Sequence, residues 1–327
     1  MRVFSPMTNP SRNWEEDEVE NPIGCTAWVY NSLTNELTVR TYVKIEDVED
    51  APWYELRYDI ESAVLVDGVT SICNRAFCRC KRLKSVHIPK SVTSIGEEVF
   101  AWCESLESIT IPDSVEFIGN KAFIGCVFSS ITIPRSIVSF GGNPFVVCDY
   151  LREIDVSENP NFVFDNEVLM DKEMTQIIYC SPLKSGDYSI PNTVTAICTY
   201  AFHSCSKLTS VSIPDSVTSI GDGTFAGCNL LRSITIPNSV VSIGSMAFRN
   251  CSQLPSIEVP NSVREIGDEA FASCHKLTSI TIPGSVETLG DKLFDACSKL
   301  SEIKVTGEKG NIRMVDGVLF NGDMTRL

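Results

Sequence analysis

The chain repeats one short sequence unit for most of its length. Residues 208–228 read LTSVSIPDSVTSIGDGTFAGC and residues 231–251 read LRSITIPNSVVSIGSMAFRNC, so the unit that begins at Leu208 begins again at Leu231. A fixed period of this size, between about 20 and 50 residues, is typical of solenoids, propellers and other arrays. The repeat therefore predicts a solenoid, in which each coil packs only against its neighbours.

Three columns of residues recur in this register. The prolines are Pro89, Pro112, Pro134, Pro191, Pro214, Pro237, Pro260 and Pro283. The phenylalanines are Phe77, Phe100, Phe123, Phe145, Phe202, Phe225, Phe248, Phe271 and Phe294. The cysteines are Cys80, Cys103, Cys126, Cys148, Cys205, Cys228, Cys251, Cys274 and Cys297. The interval from Pro134 to Pro191 is longer than two repeats by about half a repeat, which indicates an insertion in the array.

The unit L-x-S-I-x-I-P-x-S-V-x-x-I-G-x-x-A-F-x-x-C predicts local structure. Its first part alternates apolar and small polar residues, as a strand with one buried face does, and Pro then ends the strand. The Gly indicates positive φ or a close backbone approach, although Cys73 and Cys198 replace it in two repeats. Phe and Cys three residues apart predict a helical turn. The expected fold is an α/β solenoid with a parallel sheet on one face and short helical turns opposite.

The unit resembles the BspA-type leucine-rich repeat from Ile60 to Val305. The resemblance implies a right-handed leucine-rich-repeat-like coil. TAWVYNSLTNELTV (26–39) is similar to the N-terminal hairpin cap of that family. FDNEVLMDKEMTQIIYCSPLKSGDYSIP (164–191) is similar to the hairpin that interrupts such arrays, and VDGVLFNGDMTRL (315–327) begins the same hairpin again.

These features predict six segments along the chain. They are an acidic, disordered segment (1–22), an N-terminal β cap (23–59), a first repeat array (60–156), a β-hairpin insertion (157–190), a second array (191–305) and the start of a second hairpin (306–327). Because an uncapped solenoid end exposes its core, we expect the natural chain to continue past Leu327.

The composition of the chain limits the kinds of partner and the cellular locations that can be expected. The net charge of −15 argues against binding nucleic acid through its phosphates. The sequence has no run of 18 apolar residues, which a membrane-spanning helix would need, and the N-terminus lacks the apolar run of a secretory signal. The family resemblance nevertheless implies a cell-surface or secreted protein. A mature or truncated chain would reconcile the two observations, and so would a cytoplasmic protein.

The 14 cysteines and three histidines do not form a recognisable reactive site. The nine column cysteines predict a ladder of small buried thiols. A structural disulfide is an alternative for the other five cysteines, Cys25, Cys73, Cys78, Cys180 and Cys198. Cys73, Cys78, Cys80, His203 and Cys205 lack the C-x-x-C spacing of zinc sites. GDGTFAG (221–227) is not followed by a crossover helix, and no nucleophile elbow or H-E-x-x-H is present. We expect no metal, no cofactor and no enzymatic activity.

Any binding information should lie in the outward columns of the sheet, since packing determines the inward ones. The third and fifth positions of L-x-S-I-x-I are expected to point outward. They are Ser85, His87, Ser108, Thr110, Ser130, Thr132, Glu153, Asp155, Ser210, Ser212, Ser233, Thr235, Ser256, Glu258, Ser279, Thr281, Glu302 and Lys304. All except Glu153, Asp155, Glu302 and Lys304 are the candidate binding residues.

Two interpretations of this hydroxyl-rich ladder stay open. Ser and Thr are tolerated on any exposed sheet. Alternatively the ladder is a docking face for an unknown protein or glycan. On the second interpretation the chain is a non-enzymatic recognition solenoid, resembling surface adhesins. An intracellular leucine-rich-repeat scaffold is the alternative, and the oligomeric state is left open.

Overall fold

The computed structural model describes residues 28–40, 51, 53–307, 312–315 and 318–321. The predicted disordered segment 1–22 and Cys25 lie outside these residues. The chain divides into two compact units, Met1–Phe162 and Val163–Leu327. Each unit contains parallel ladders built from successive repeats, which confirms the predicted parallel-sheet solenoid.

The first unit begins with an antiparallel hairpin, Trp28–Asn31 and Glu36–Val39. The second hairpin strand pairs in parallel with the first strand of the main sheet. The main-sheet strands are Ser62–Leu65, Ser85–His87, Ser130–Thr132 and Glu153–Asp155. A second parallel sheet is built from the two-residue strands Ser71–Ile72, Ser94–Ile95, Phe117–Ile118 and Ser139–Phe140. Residues 107–111 have the repeat pattern but are not assigned to a strand.

The second unit has the same two-sheet organisation. Its inserted hairpin is Val168–Asp171 with Gln176–Cys180, flanked by Phe162–Asp165, which spans the unit boundary, and by Ala196–Ile197. The main-sheet strands are Ser185–Ser189, Lys207–Ser212, Ser233–Thr235, Ser256–Glu258, Ser279–Pro283 and Glu302–Thr306. The second-sheet strands are Ser219–Ile220, Ser242–Ile243, Glu265–Ile266 and Thr288–Leu289. A last antiparallel hairpin is formed by Ile312–Val315 and Val318–Asn321.

The main sheet of the second unit is split between Ser233–Thr235 and Ser256–Glu258, which belong to two separate ladders among the described strands. The backbone N–H of the residue after the repeat Leu normally donates to the carbonyl of the equivalent residue one coil earlier. Arg232 donates in this way to Thr209 at 2.9 Å, and Thr278 donates to Pro255 at 2.9 Å. Pro255 has no N–H to donate. Its coil therefore lacks this bond to the preceding coil, which accounts for the position of the split.

The Gly column is explained by close approach and not by positive φ. Its members are Gly96, Gly119, Gly221, Gly244, Gly267 and Gly290. A Cβ on Gly244 would lie 2.6 Å from the Asp222 nitrogen, and one on Gly290 would lie 2.3 Å from the Asp268 nitrogen. None of the column glycines has a positive φ. Consecutive coils thus approach backbone to backbone at this corner. Cys73 and Cys198 replace Gly in the first repeat after each hairpin. The coil before each of them has no column Gly, so the close contact between two column positions does not arise there.

The prediction of helical turns opposite the sheet is wrong. Among the described residues the only helix is the three-residue 3-10 helix Tyr54–Leu56, and the A-F-x-x-C segments are successive turns. Met246 and Asn250 have φ of 56° and 61°, whereas every helical residue needs negative φ. The N–H of Phe248 donates to the Ala270 carbonyl of the next coil. Alternate N–H groups therefore bond between coils and not within a helix.

Aromatic rings form the centre of the core in each unit. In the first unit Trp53 stacks on Phe77 and is followed by Phe100, Phe123 and Phe145, with centroids of neighbouring rings 5.6–5.9 Å apart. In the second unit the stack is Phe202, Phe225, Phe248, Phe271 and Phe294, with centroids 5.2–6.0 Å apart. Offset ring stacking and burial both stabilise this arrangement.

The repeat Ser after Pro adds a hydrogen bond between coils. Its hydroxyl donates to the Val carbonyl one coil earlier, as Ser239 does to Val217 and Ser262 does to Val240, both at 2.6 Å. The sequence pattern predicts only a turn for this Ser. The bond explains why Ser recurs there and why it does not belong to the outward face.

We expect Phe248→Ala to lower the free energy of unfolding by roughly 3–5 kcal/mol, because it removes a fully buried ring from the stack and leaves a cavity. Urea unfolding followed by circular dichroism measures the change. The matched control is Ser233→Ala with Thr235→Ala, two exposed main-sheet residues, which should change stability by less than about 1 kcal/mol. An equal loss in both variants would contradict the assigned faces.

Candidate functional site

The outward face, defined here by the third and fifth positions of the main-sheet segments, carries short polar side chains. In the first unit Ser85, Ser108, Ser130 and Glu153 occupy the third position and His87, Thr110, Thr132 and Asp155 occupy the fifth. All are exposed except Asp155, which is half-buried. Ser108 and Thr110 are exposed although their segment is not a strand.

Strand register brings these side chains together in the first unit. Ser85 lies beside Ser62, whereas His87 lies beside Val64. Glu153 lies beside Ser130, and Asp155 lies beside Thr132. The Asp155 carboxylate accepts a hydrogen bond of 2.9 Å from the Ser157 N–H, which lowers the pKa of Asp155. This end of the first unit's ladder is therefore anionic.

In the second unit the outward face runs in register within each of the two ladders. The first ladder places Ser233 beside Ser210 and Thr235 beside Ser212. The second places Ser256, Ser279 and Glu302 in one row and Glu258, Thr281 and Lys304 in the other. Ser210, Ser279 and Thr281 are half-buried and the others are exposed.

Sequence reasoning missed one further row of this face. The strand Ser185–Ser189 places Asp187 beside Ser210 and Ser189 beside Ser212. Hydrogen bonds from Ser210 and Thr209 lower the pKa of Asp187, and the Thr209 hydroxyl lies 2.7 Å from its carboxylate. The signal was present, since DYSIP (187–191) ends like the repeat segment SVSIP (210–214).

An open groove with a volume of about 750 Å³ lies at the C-terminal ends of four consecutive main-sheet strands of the second unit. Outward Thr235, Glu258 and Thr281 form part of it, together with Asn238, Asn261 and Ser285 of the following turns. Hydroxyl and amide groups can both donate and accept hydrogen bonds, and Glu258 supplies a carboxylate. Sequence reasoning placed Glu258 and Thr281 on the face but did not predict a groove.

The cysteine column forms a ladder of hydrogen-bonded thiols. In most coils the Sγ donates to the carbonyl of a Phe one coil earlier, at 3.2 Å from Cys103 to Phe77 and 3.3 Å from Cys251 to Phe225. The thiol of Cys205, the first column cysteine after the insertion, instead reaches the Cys180 and Ser181 carbonyls. Eight column cysteines are buried, and Cys297 is half-buried. All 13 cysteines in the described part of the chain are free thiols, and no group of three His, Cys, Asp or Glu residues there could hold a metal ion.

The last thiol of the column differs from the rest. Burial raises the pKa of Cys251 to about 12. Interaction with the neighbouring Cys274 side chain instead lowers the pKa of half-buried Cys297 to about 7, and the same interaction raises the pKa of Cys274. Cys297 therefore has the largest thiolate fraction of the column at neutral pH.

The three histidines lie in different repeats and at different repeat positions. His87 is on the outward face, and His275 Nδ1 lies 3.1 Å from the Ala296 carbonyl oxygen. His203 Nδ1 lies 3.0 Å from the Ser204 hydroxyl, a contact between neighbours in the chain. Among the described residues no helix is long and apolar enough to cross a membrane.

Comparison with known proteins identifies the class of repeat. The model of the BspA type leucine rich repeat region matches residues 70–188 and 177–301, in six copies. This match covers more than half of the chain. The chain therefore belongs to the BspA-type leucine-rich repeat family.

Several solved structures are similar to this chain. A leucine-rich repeat protein from Eubacterium ventriosum has 27% identity over 85% of this chain and 82% of that chain, with a TM-score of 0.70. A leucine rich cell surface protein from Faecalibacterium prausnitzii has 25% identity over 90% and 96%, with a TM-score of 0.69. The pneumococcal vaccine antigen PcpA, at 22% identity over 82% and 72% with a TM-score of 0.65, shows the fold alone. No curated protein matches this chain.

We expect iodoacetamide at pH 7 to alkylate Cys297 faster than any other cysteine of the column, because the thiolate is the reactive form. Peptide mapping by mass spectrometry at increasing times measures the order of labelling. The rate at Cys297 should rise with pH and level off above about 8, once its thiol is deprotonated. Cys251 serves as the control, and labelling of Cys251 as fast as Cys297 would contradict this assignment.

Proposed function

We propose that the chain is a non-enzymatic recognition protein that binds a partner protein or glycan through the outward face. The observation that carries the proposal is the separation of roles within each repeat. The Phe, Cys, Ser and Gly columns take part in contacts between coils, whereas most of the outward side chains are exposed to solvent. They are the positions at which sequence can change without disturbing the coil.

The chemistry of the outward face suits binding by many modest contacts. Ser and Thr lose little side-chain entropy when they are immobilised, and their hydroxyls donate and accept hydrogen bonds. Successive strands present these groups about 4.8 Å apart, so an extended partner can contact several rows at once. The net charge of −15 favours cationic or neutral partners over nucleic acids.

We place the protein at the cell surface or outside the cell. The support is the family and the similar structure from Faecalibacterium prausnitzii, which is named as a cell surface protein. Leucine-rich repeats of this kind are typically non-enzymatic scaffolds. An intracellular scaffold of the same architecture is the second candidate, and the buried free thiols favour it because a reducing compartment keeps thiols unpaired.

The decisive test is to add protease to intact cells of the source organism and detect the protein with an antibody. We expect digestion without cell lysis, because a surface protein is accessible from outside. A cytosolic enzyme detected in the same samples is the control for lysis. Protection of the protein until the cells are opened would contradict the surface assignment and support the intracellular scaffold.

A further inference from the structure

The groove in the second unit coincides with departures from the repeat pattern. After the repeat Pro, the other repeats carry a longer polar side chain, namely Lys90, Asp113, Arg135, Asn192, Asp215, Asn238 and Asn261. The last two repeats have glycine at this position, Gly284 after Pro283 and Gly307 after Thr306, and both glycines line the groove. A Cβ on Gly307 would meet nothing within 4 Å. The absent side chains leave the space that the groove occupies.

The split in the main sheet lies in the same place. Thr235 and Ile236 line the groove from the ladder before Pro255, and Glu258 and Val259 line it from the ladder after. Ile234 of the first ladder is half-buried and also lines the groove, although it is an inward position of the repeat. The groove therefore has an apolar floor as well as a polar rim.

Glu258 is the only charged residue among the groove-lining residues. Its neighbours in the row are Thr235 one coil earlier and Thr281 one coil later, both neutral. Lys304, the nearest cation of the row, instead forms an ion pair of 3.2 Å with Glu302. In the described part of the chain the Glu258 carboxylate accepts no hydrogen bond and forms no ion pair, so it is available to a ligand.

The shape and lining favour an extended peptide. Four strands about 4.8 Å apart make the groove roughly 15 Å long, the length of four or five extended residues. Asn238, Asn261 and Ser285 can bond to peptide N–H and C=O groups. The lining contains no aromatic ring on which the apolar face of a sugar could pack. The single carboxylate calls for a cation on the ligand.

We propose that this groove binds an extended peptide segment of a partner protein and that Glu258 receives a Lys or Arg side chain of that segment. This inference rests on the proposed recognition function and gives it a location and a ligand class. Gly284 and Gly307 provide the room for the peptide, and Glu258 selects the basic residue.

The experiment selects octapeptides from a phage-displayed random library on the immobilised full chain. The strongest binder is then synthesised with a fluorescent label, and its affinity is measured by fluorescence polarisation. A second synthetic peptide carries acetyl-lysine, or citrulline for Arg, at the basic position. Glu258→Gln removes the carboxylate, and Gly284→Asn restores the side chain found at Asn238 and Asn261. Glu265→Gln, an exposed carboxylate of the same repeat on the second sheet, is the matched control.

We expect the selected peptides to share a Lys or Arg. Glu258→Gln and neutralisation of the basic residue should each weaken binding roughly tenfold, with no further loss when the two are combined. Gly284→Asn should abolish binding, while Glu265→Gln leaves it unchanged. Unaltered thermal unfolding of each variant shows that the fold is intact.

Three results would overturn the proposal: no selected peptide, peptides without a shared basic residue, or an affinity unchanged by Glu258→Gln. Peptides that lose affinity with Ser210→Arg on the outward face but not with the groove variants would overturn the groove and leave the recognition function standing. Binding of the chain to a glycan array alone would overturn the peptide assignment in the same way.

Discussion

The structure depends on the close approach of consecutive coils at the Gly column. A Cβ on Gly267 would lie 2.5 Å from the Ser245 nitrogen, so only glycine permits this backbone contact between repeats. The remaining interactions between coils hold the same register. Phe rings stack about 5.6 Å apart, Ser hydroxyls reach the preceding Val carbonyl, and thiols reach a Phe carbonyl. The repeat from Phe123 to Phe145 is one residue shorter and keeps these contacts, whereas a repeat shortened by about half would misplace all of these groups together.

This packing separates stability from recognition. The inward and turn columns must stay nearly constant, because each residue contacts its equivalent in the neighbouring coil. The outward columns are free to vary, and Glu258, Gly284 and Gly307, which depart from the pattern, line one groove. Pro255 accounts for the split in the sheet at the same place. In such a regular chain, irregularity is the feature that points to a specific function.

Sequence alone predicted the solenoid, the parallel sheet and the buried Phe and Cys columns, because each is a periodic pattern. It did not distinguish a helical turn from consecutive turns, since the three-residue spacing of Phe248 and Cys251 is compatible with both conformations. The deciding interaction, the Phe248 N–H to the Ala270 carbonyl, crosses between coils and has no local signal. The groove could not be predicted from the sequence either, because it depends on which residues are neighbours in space. Gly284 is notable only because it lines the same groove as Glu258.

Register between coils holds the fold together, and deletions within the second array test this directly. Deleting residues 231–253 removes one complete repeat, and deleting residues 231–242 removes about half of one. Urea unfolding of both variants, followed by circular dichroism, compares them. We expect a cooperative transition for the full-repeat deletion and no folded second array for the half-repeat deletion. Equal stability of the two variants would contradict the role assigned to register.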